Sequence, residues 1–245
     1  MDFKGKNVFI TGANRGIGAA LVRACLNRGV AKVYAAAREK NTLPNNEDPR
    51  VVPLQLDITN AEQISEAVSA ASDVQILINN AGTLHGGSFL EGNRDGFLRD
   101  MQVNCFATMD MMRAFVPVLK HNTDCRIVNI VSIAKFVNFP FIAGYSASKA
   151  ALYSMTQAAR IELSPYGIAV HAVNPGAIDT DMNKGAEMDM TSPSEVADSI
   201  LAHVEKEVLD IVPDKIGQAM FKVWQESPMG LENLAKEMYF KKPNP

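Results

Sequence analysis

The sequence predicts an α/β protein whose one doubly wound domain of the Rossmann type contains a parallel sheet of about seven strands with helices on both faces. Apolar runs rich in valine, isoleucine and leucine alternate with helix-length stretches along most of the chain. These runs are continuous, which is typical of parallel strands buried on both faces. The first run leads directly into a glycine-rich turn and a helical pattern, the order found in a doubly wound sheet.

Six strands are expected at 7–11, 32–37, 51–57, 74–80, 126–132 and 169–175, with a possible seventh around 208–212. Helices are expected at 17–29, 61–71, 95–119, 147–163 and 193–207, and a last helix over roughly 216–240. The regular pattern weakens after about residue 183. The 245 residues therefore fit one large α/β domain better than two small ones.

Composition excludes several classes of function. A net charge of −3 and the lack of a long basic run argue against a nucleic-acid partner. Cys25, Cys105 and Cys125 are odd in number and form no CxxC pair, so we expect buried free thiols and no metal site. The chain opens directly on a strand pattern and has no apolar stretch of ~20 residues, so we expect a cytoplasmic protein without a membrane span.

The turn after the first strand predicts a phosphate-binding loop. It consists of Thr11, Gly12, Ala13, Asn14, Arg15, Gly16, Ile17 and Gly18. Gly12 allows a tight turn, Gly16 a close approach of the backbone to a pyrophosphate, and Gly18 close packing of helix on strand. The helix N-terminus adds N–H donors and a positive dipole end. The structural alternative is a tight turn without a ligand.

The position about 20 residues after the last glycine distinguishes NAD from NADP, because an acidic side chain there binds a ribose 2′-hydroxyl and an arginine binds a 2′-phosphate. Arg38 occupies that position, and Arg15 in the loop is a second possible phosphate ligand. The sequence therefore favours NADP(H) over NAD(H). In the alternative, both arginines are solvated and Glu39 meets the ribose.

Tyr145 and Lys149 stand four residues apart, thirteen residues after Ser132. Residues at i and i+4 share one face of a helix. The lysine ammonium is therefore expected to lower the pKa of the phenol from its reference of about 10. Such a tyrosine could donate and accept a proton near neutral pH. A tyrosine and a lysine can also share a solvated helix by chance, and a serine at a strand end is often only a cap.

In this order and spacing, TGxxxGxG, NNAG, a serine before YxxxK, and a following PG resemble the short-chain dehydrogenase/reductase family, in its compact branch of roughly 250 residues. The resemblance covers about residues 5–182. It implies the Rossmann sheet and hydride transfer between nicotinamide C4 and a carbonyl or alcohol carbon. Tyr145 would transfer the proton, Ser132 would hold the substrate oxygen, and Lys149 would lower the tyrosine pKa and bind the nicotinamide ribose.

The resemblance also assigns roles to other residues. Asn104 matches the asparagine that shapes the active-site helix and holds a water of a proton relay, although an asparagine in a helix can also serve only a neighbouring backbone group. Asp57 matches a residue that touches the adenine, or it caps the next helix. The remaining cofactor positions are Asn79, Asn80, Ala81 and Gly82 beside the adenine ribose and Pro175, Gly176, Ile178 and Thr180 along the nicotinamide.

The substrate is expected between Ser132, the loop to Tyr145 and the segment after Thr180. The pocket candidates are apolar: Phe136, Val137, Phe139, Phe141 and Ile142 on one wall, and Met182, Met188 and Met190 as an adaptable lid. A hydrophobic ketone or secondary alcohol is therefore favoured, with core packing as the alternative for each side chain. His85 borders the pocket or lies on the surface.

The C-terminal part departs from the commonest family pattern, which ends in a glycine-rich segment. We expect residues 1–182 to form the cofactor and catalytic core, and 183–245 the substrate lid and C-terminal helices. Helices 95–119 and 147–163 could pair in a homodimer, with a tetramer possible. The alternative functions are a non-catalytic NADP(H)-binding sensor and an NAD-dependent alcohol dehydrogenase. Enoyl reduction is disfavoured, because that branch typically separates its tyrosine and lysine by six residues.

Overall fold

The computed structural model describes residues 1–44, 47–185 and 188–241. Seven parallel strands form one sheet: β1 Asn7–Thr11, β2 Lys32–Ala37, β3 Val51–Gln55, β4 Ile76–Asn79, β5 Arg126–Ile130, β6 Ala169–Val173 and β7 Asp210–Ile211. Their order across the sheet is β3-β2-β1-β4-β5-β6-β7. The connection therefore reverses direction between β1 and β4, where a doubly wound sheet opens a crevice at its carboxyl edge. The predicted fold class is confirmed.

Eight helices lie around the sheet in the described part of the chain: α1 Gly16–Asn27, α2 Ala61–Ala70, α3 Arg94–Asp100, α4 Thr108–His121, α5 Ala143–Leu163, α6 Pro193–Glu205, α7 Lys215–Glu226 and α8 Pro228–Lys241. Helices α1 and α6 pack together over one face, and α2, α4 and α5 cover the other. Each face has its own apolar core. This two-sided burial explains why the strands are continuous apolar runs.

The only proline in a described strand, Pro53, lies in β3, which is an edge strand paired on one side with β2. An edge strand tolerates proline because one row of its backbone groups forms no ladder hydrogen bonds. The side chains of β3 are also more exposed than those of the central strands. The edge position thus accounts for the sequence of this strand.

The predicted last helix over 216–240 is wrong in one respect, because two helices occupy that range. Helix α7 ends at Glu226 and α8 begins at Pro228. A proline clashes with helical backbone in the residue before it and has no N–H to continue the helix. Ser227 is accordingly extended, with φ −162° and ψ 110°. The chain turns there, and α8 folds back against α7.

The predicted helix over 95–119 is also interrupted. The π-helical segment Met101–Ala107 joins α3 to α4. Such wide turns re-aim side chains and are frequent at functional sites. Asn104 lies in this segment and is completely buried.

All three cysteines are buried and free, as the sequence indicated. Among residues 1–44, 47–185 and 188–241, no cluster of three or more metal-ligating side chains occurs. The described helices include none with the length and apolar character needed to cross a membrane.

Candidate active site

A cavity of about 1680 Å³ opens at the carboxyl edge of the sheet, where the loops after β1, β4, β5 and β6 converge. Most of the predicted site residues line it: Gly12, Asn14, Arg15, Gly16, Ile17, Arg38, Asp57, Asn80, Ala81, Gly82, Ser132, Phe139, Phe141, Tyr145, Lys149, Pro175, Gly176, Ile178, Thr180 and Met182. The structure therefore brings residues from separate parts of the sequence together in one site. Four of the predicted residues do not line the cavity: Thr11, Gly18, Asn104 and Phe136. The first three contact residues that do line it.

The glycine loop is held tightly against β4. Gly12 has φ +63°, a conformation that favours glycine, and a Cβ there would lie 2.9 Å from Ala81 Cα. A Cβ on Gly18 would collide with the Gly12 carbonyl oxygen. Glycine is thus required at both positions by the backbone approach itself. The helix α1 that follows directs its N-terminus at the cavity, which is favourable for a bound phosphate.

We expect Gly18→Ala to lower the free energy of unfolding by about 1–3 kcal/mol, because the added methyl group displaces backbone in a packed loop. Gly86→Ala is a matched control, since a Cβ there would meet nothing closer than the Phe141 carbonyl oxygen at 3.9 Å. Urea unfolding of the two variants compares them directly. Equal free energies of unfolding for the two variants would show that the loop accommodates the added methyl group without loss of stability.

Hydrogen bonds of Asn80 and Thr11 join the glycine loop after β1 to the loop after β4. The Asn80 amide donates to the carbonyl oxygens of Thr11 and Gly12, both at 3.0 Å. In return, Thr11 Oγ1 accepts from the backbone N–H groups of Asn80 at 2.9 Å and Ala81 at 3.0 Å. Asn79, one residue earlier, donates to Asn129 Oδ1 on β5 at 2.8 Å. These contacts hold the loop in the shape that a diphosphate would need.

Ser132 follows β5 and caps the short turn Ile133–Lys135. Its Oγ accepts from the Ala134 N–H at 3.1 Å and donates to the Pro175 carbonyl oxygen at 3.4 Å. The cap expected as an alternative for this serine is therefore present, and the hydroxyl still lines the cavity. Burial raises the pKa of Tyr145, and a hydrogen bond with Ser132 partly offsets that rise. Both residues can thus reach one atom in the cavity.

Tyr145 and Lys149 lie on the first turns of α5 and are almost fully buried. Lys149 Nζ donates to the Ile130 carbonyl oxygen at 2.8 Å and lies 5.6 Å from the centre of the Tyr145 ring. Burial raises the pKa of Tyr145 to about 12 and lowers the pKa of Lys149 to about 8. The direction for Tyr145 is opposite to the lowering predicted from the i,i+4 spacing, because the cost of burying a phenolate dominates.

Asn104 joins the π-helical segment to the loop after β4. Its Oδ1 accepts from the Thr83 N–H at 2.8 Å, and its Nδ2 donates to the Thr83 carbonyl oxygen at 2.9 Å and to Ser148 Oγ at 2.9 Å. Ser148 Oγ in turn donates to the Tyr145 carbonyl oxygen at 2.7 Å. Asn104 does serve the backbone groups of Thr83, and through the Ser148 hydroxyl it fixes the helix turn that carries Tyr145.

Asp57 is not the cap of α2. Asn60 takes that position and accepts from the N–H groups of Glu62 and Gln63. Asp57 instead accepts from the N–H and hydroxyl of Thr59 at 2.9 and 2.7 Å, and it lines the cavity. The capping interpretation is therefore wrong, and the cavity interpretation stays available for Asp57.

Pro175 and Gly176 are fixed by the C-terminal helices. The buried Asp214 caps α7 by accepting from the Gly217 N–H, and its second oxygen accepts from the Gly176 N–H, both at 2.8 Å. Farther along this segment, Thr180 lies against the glycine loop, since a Cβ on Gly16 would approach its Cγ2 to 3.2 Å. One side chain, that of Asp214, thus holds both the segment after β6 and the start of α7.

Three charged residues stand at one end of the cavity. Arg38 and Glu39 follow β2 and are exposed, and both line the cavity. Arg15 forms an exposed ion pair with Asp181 at 3.5 Å. Arg38 and Glu39 both follow β2 and line the cavity, so each of the two interpretations of the sequence has its residue there.

The part of the cavity expected to hold the substrate is lined by apolar side chains, some of which the sequence did not suggest. Phe139, Phe141, Ile142, Met182 and Met188 line the cavity, and Phe136 instead packs against Phe221 and Trp224. Val137 packs against the apolar cluster that contains Phe139 and Tyr145. The lining residues that the sequence analysis missed are Leu84, Ile216, Met220 and Met238. The signal available in the sequence was the amphipathic, methionine-containing character of the last two helices.

Comparisons with known proteins agree with this geometry. The family model described as short chain dehydrogenase matches residues 6–191. A short chain dehydrogenase from Burkholderia cenocepacia, solved in complex with NADP, is 38% identical and superposes with a TM-score of 0.90 over 99% of this chain and 100% of that chain.

Two named relatives extend the comparison. Carbonyl reductase [NADPH] 2 of Sus scrofa is 30% identical over 192 residues, which are 77% of this chain and 78% of its own. Ketoacyl reductase HetN of Nostoc sp. is 28% identical over 94% of this chain and 88% of its own. With its fold, its convergent motifs and the family match over residues 6–191, the chain belongs to the short-chain dehydrogenase family and is an oxidoreductase of that family.

Proposed function

We propose that this protein is an NADP(H)-dependent oxidoreductase that transfers a hydride between nicotinamide and the carbon of an apolar ketone or secondary alcohol. One observation carries the proposal: Ser132, Tyr145 and Lys149 line the same cavity as the glycine loop. A proton donor and a cofactor site are therefore within reach of one substrate. Neither a lone glycine loop nor a lone tyrosine and lysine pair would support this function.

The residues present fit a dinucleotide. The glycine loop leaves a cradle in which a side chain at Gly12 or Gly18 would collide with backbone, and helix α1 begins at its edge. Asp57 and Ala81 follow β3 and β4, Pro175 and Thr180 follow β6, and all four line the cavity. When bound there, the cofactor supplies or accepts the hydride.

The protein residues would handle the proton and the orientation. In the reductive direction, Tyr145 would give its hydroxyl proton to the substrate oxygen, and Ser132 would hydrogen-bond that oxygen and hold it in line. Lys149 would stabilise the tyrosinate that forms, which matters because burial alone raises the pKa of Tyr145. Asn104 would keep this turn of α5 in place through Thr83 and Ser148.

The preference for NADP(H) over NAD(H) rests on the two arginines. Arg38 stands at the end of β2, where a ribose 2′-phosphate is bound in this fold, and Arg15 lies in the glycine loop. The NADP complex of the Burkholderia cenocepacia protein and the printed name of the Sus scrofa relative support the same choice. The second candidate, an NAD-dependent alcohol dehydrogenase, is favoured only by Glu39 beside Arg38.

Arg38→Asp is expected to raise KM for NADPH by at least about tenfold and to change KM for NADH much less. The reason is that a 2′-phosphate would lose a charge-assisted partner and meet a negative charge. Glu39→Gln is the matched control, because it removes the carboxylate that the alternative interpretation places on the ribose 2′-hydroxyl. Steady-state KM values decide the question: a greater effect of Glu39→Gln on NADH than of Arg38→Asp on NADPH would favour the NAD-dependent enzyme.

The apolar wall supports a fairly hydrophobic ketone or alcohol. Phe139, Phe141 and Ile142 precede Tyr145, and methionines of the lid and of α7 and α8 face them across the cavity. Methionine adapts its shape to a ligand at low cost, so a wall of this kind accepts related ketones of different shapes. An acidic metabolite or a sugar would find few polar partners there.

The decisive assay follows absorbance at 340 nm with NADPH, and separately with NADH, over aryl ketones, aliphatic ketones, diketones, quinones and 3-oxoesters. We expect oxidation of NADPH, faster than that of NADH, with at least one apolar ketone. NADPH binding without oxidation across the whole panel would favour the alternative of a non-catalytic NADP(H)-binding sensor.

We further propose that the chain acts as one domain, with 1–182 as cofactor and catalytic core and 183–245 as lid and C-terminal helices. Part of the lid segment, at residues 186 and 187, lies outside the described residues. The exposed Phe106 and Met155, in the π-helical segment and on α5, support a homodimer through these helices. A cytoplasmic location fits an enzyme that draws on a nicotinamide cofactor pool.

A further inference from the structure

A histidine and an aspartate form a pair at the wall of the cavity, and the proposed mechanism uses neither. His85 belongs to the loop after β4 and lines the cavity together with Leu84 and Tyr145. Asp100 is the last residue of α3 and has no exposed surface. Their side chains meet at 2.8 Å, between His85 Nδ1 and Asp100 Oδ1.

Asp100 is surrounded by hydrogen-bond donors. One oxygen, Oδ1, accepts from Thr83 Oγ1 at 3.0 Å in addition to the imidazole, and the other, Oδ2, accepts from the His85 backbone N–H at 3.1 Å. A buried carboxyl group that receives donors on both oxygens is organised as a carboxylate. Burial is the main cause of the raised pKa of Tyr145 and the lowered pKa of Lys149; the charge of Asp100 adds to the first change and partly offsets the second.

The pair fixes the orientation of the imidazole. A carboxylate accepts hydrogen bonds only, so the hydrogen on Nδ1 points at Asp100, and in the neutral ring Nε2 is left as an acceptor. Within the described residues, Nε2 has no hydrogen-bond partner. The backbone of α3 supports the same ring, since a Cβ on Gly96 would approach His85 Cβ to 3.1 Å.

The loop that carries His85 is tied to the segment that leads into α5 and Tyr145. The Gly87 N–H donates to the Phe141 carbonyl oxygen, and the Ala143 N–H donates to the Gly87 carbonyl oxygen, both at 3.0 Å. The imidazole and the catalytic phenol are therefore held at a fixed relative position. Beside the apolar side chains of Leu84, Phe139 and Phe141, a fixed polar group of this kind usually sets ligand orientation.

From this geometry we propose that His85 is a specificity-determining residue whose Nε2 accepts a hydrogen bond from a hydroxyl group of the substrate. Asp100 is its positioning residue. The proposal rests on the proposed function and narrows it to apolar ketones that carry a hydroxyl group a few bonds from the reacting carbonyl, and to the corresponding diols in the oxidative direction.

The test measures binding, so that it does not depend on turnover. Protein loaded with NADP⁺ cannot reduce a ketone, and calorimetric titration then gives the affinity for acetophenone, its three ring-hydroxylated isomers and its α-hydroxylated analogue. We expect at least one hydroxylated compound to bind about three- to tenfold more tightly than acetophenone, the gain of one additional hydrogen bond. His85→Phe should remove this preference and leave the affinity for acetophenone nearly unchanged.

A second readout covers the case in which His85→Phe folds poorly. The chain has only four histidines, so the ring nitrogens can be followed by NMR on wild-type protein labelled with ¹⁵N-histidine. The preferred hydroxylated compound should shift one Nε2 signal, and acetophenone should not. The proposal is overturned if no hydroxylated compound binds more tightly than acetophenone, or if the preference persists in His85→Phe. Failure of the proposed function would show separately, as silence in the NADPH oxidation assay.

Discussion

Tyr145→Phe is expected to lower kcat by about 10²–10⁴-fold, the usual contribution of a positioned general acid. The variant keeps the ring and its packing and loses only the hydroxyl proton. Binding of NADPH should therefore remain nearly unchanged, because the glycine loop and Arg38 lie elsewhere in the cavity. Turnover at 340 nm and NADPH affinity, measured on the same preparation, separate the two effects.

Tyr153→Phe is the matched control, since Tyr153 lies on the same helix and its hydroxyl interacts with Asp210 instead of the cavity. It should retain normal turnover. If Tyr145→Phe keeps its kcat, Tyr145 is not the proton donor, and the proposed mechanism fails at its main step.

Lys149→Met should abolish most of the activity and also change how stability depends on pH. Burial lowers the pKa of Lys149 from 10.5 to about 8 in the folded chain. Below pH 8, both folded and unfolded chains carry the charge. Between pH 8 and 10.5, only the unfolded chain holds the proton, so the folded state gains about 3 kcal/mol from this group as the pH rises through that window.

The difference in free energy of unfolding between wild type and Lys149→Met isolates this contribution. Wild type should gain about 3 kcal/mol relative to the variant between pH 7.5 and 10.5. Cys25 and Cys125, whose pKa values burial raises to about 12 and about 11, oppose the trend at high pH in both proteins and cancel. Parallel stability curves for the two proteins would contradict a buried, destabilised lysine cation.

Lys135→Met provides a control for the link between stability and activity. Burial lowers the pKa of Lys135 to about 8 as well, and its side chain contacts Tyr153 and Asp210 outside the cavity. The difference in free energy of unfolding between wild type and Lys135→Met should also rise with pH, and the variant should keep its turnover. The comparison distinguishes a lysine that is merely buried from one whose charge serves the reaction.

Much of the fold could be predicted from the sequence, because strands that are buried on both faces have continuously apolar sequences. Strands such as β1 and β5 are continuous apolar runs, and the glycine spacing at the start of α1 is typical of a close helix–strand turn. Pro228, where α8 begins, was visible in the sequence. No described strand follows that region, so the sequence offered no neighbouring element from which to place the helix ends. Helix ends of that kind depend on packing, and α8 is placed by contacts with α7 and the cavity wall.

The site was predictable where chemistry depends on short spacings, and less so where it depends on burial. The four-residue separation of Tyr145 and Lys149 places them on one helix face, but it does not reveal that burial is the main cause of both pKa shifts. The π-helical turn that buries Asn104 has no periodic signature. His85 and Asp100 are fifteen residues apart, and only the folded loop after β4 brings them together.

In the proposed reaction, the cofactor bound in the cavity would give a hydride to the carbonyl carbon of the substrate, and Tyr145 would give a proton to the carbonyl oxygen. The most direct measurement mixes protein preloaded with NADPH, deuterated at the transferable C4 position, with a ketone active in the panel, and analyses the alcohol by mass spectrometry and NMR. We expect one deuterium on the carbinol carbon for each NADPH oxidised, and product formation slowed by about 10²–10⁴-fold with Tyr145→Phe. NADPH oxidation without deuterium in the alcohol would contradict the proposed reaction.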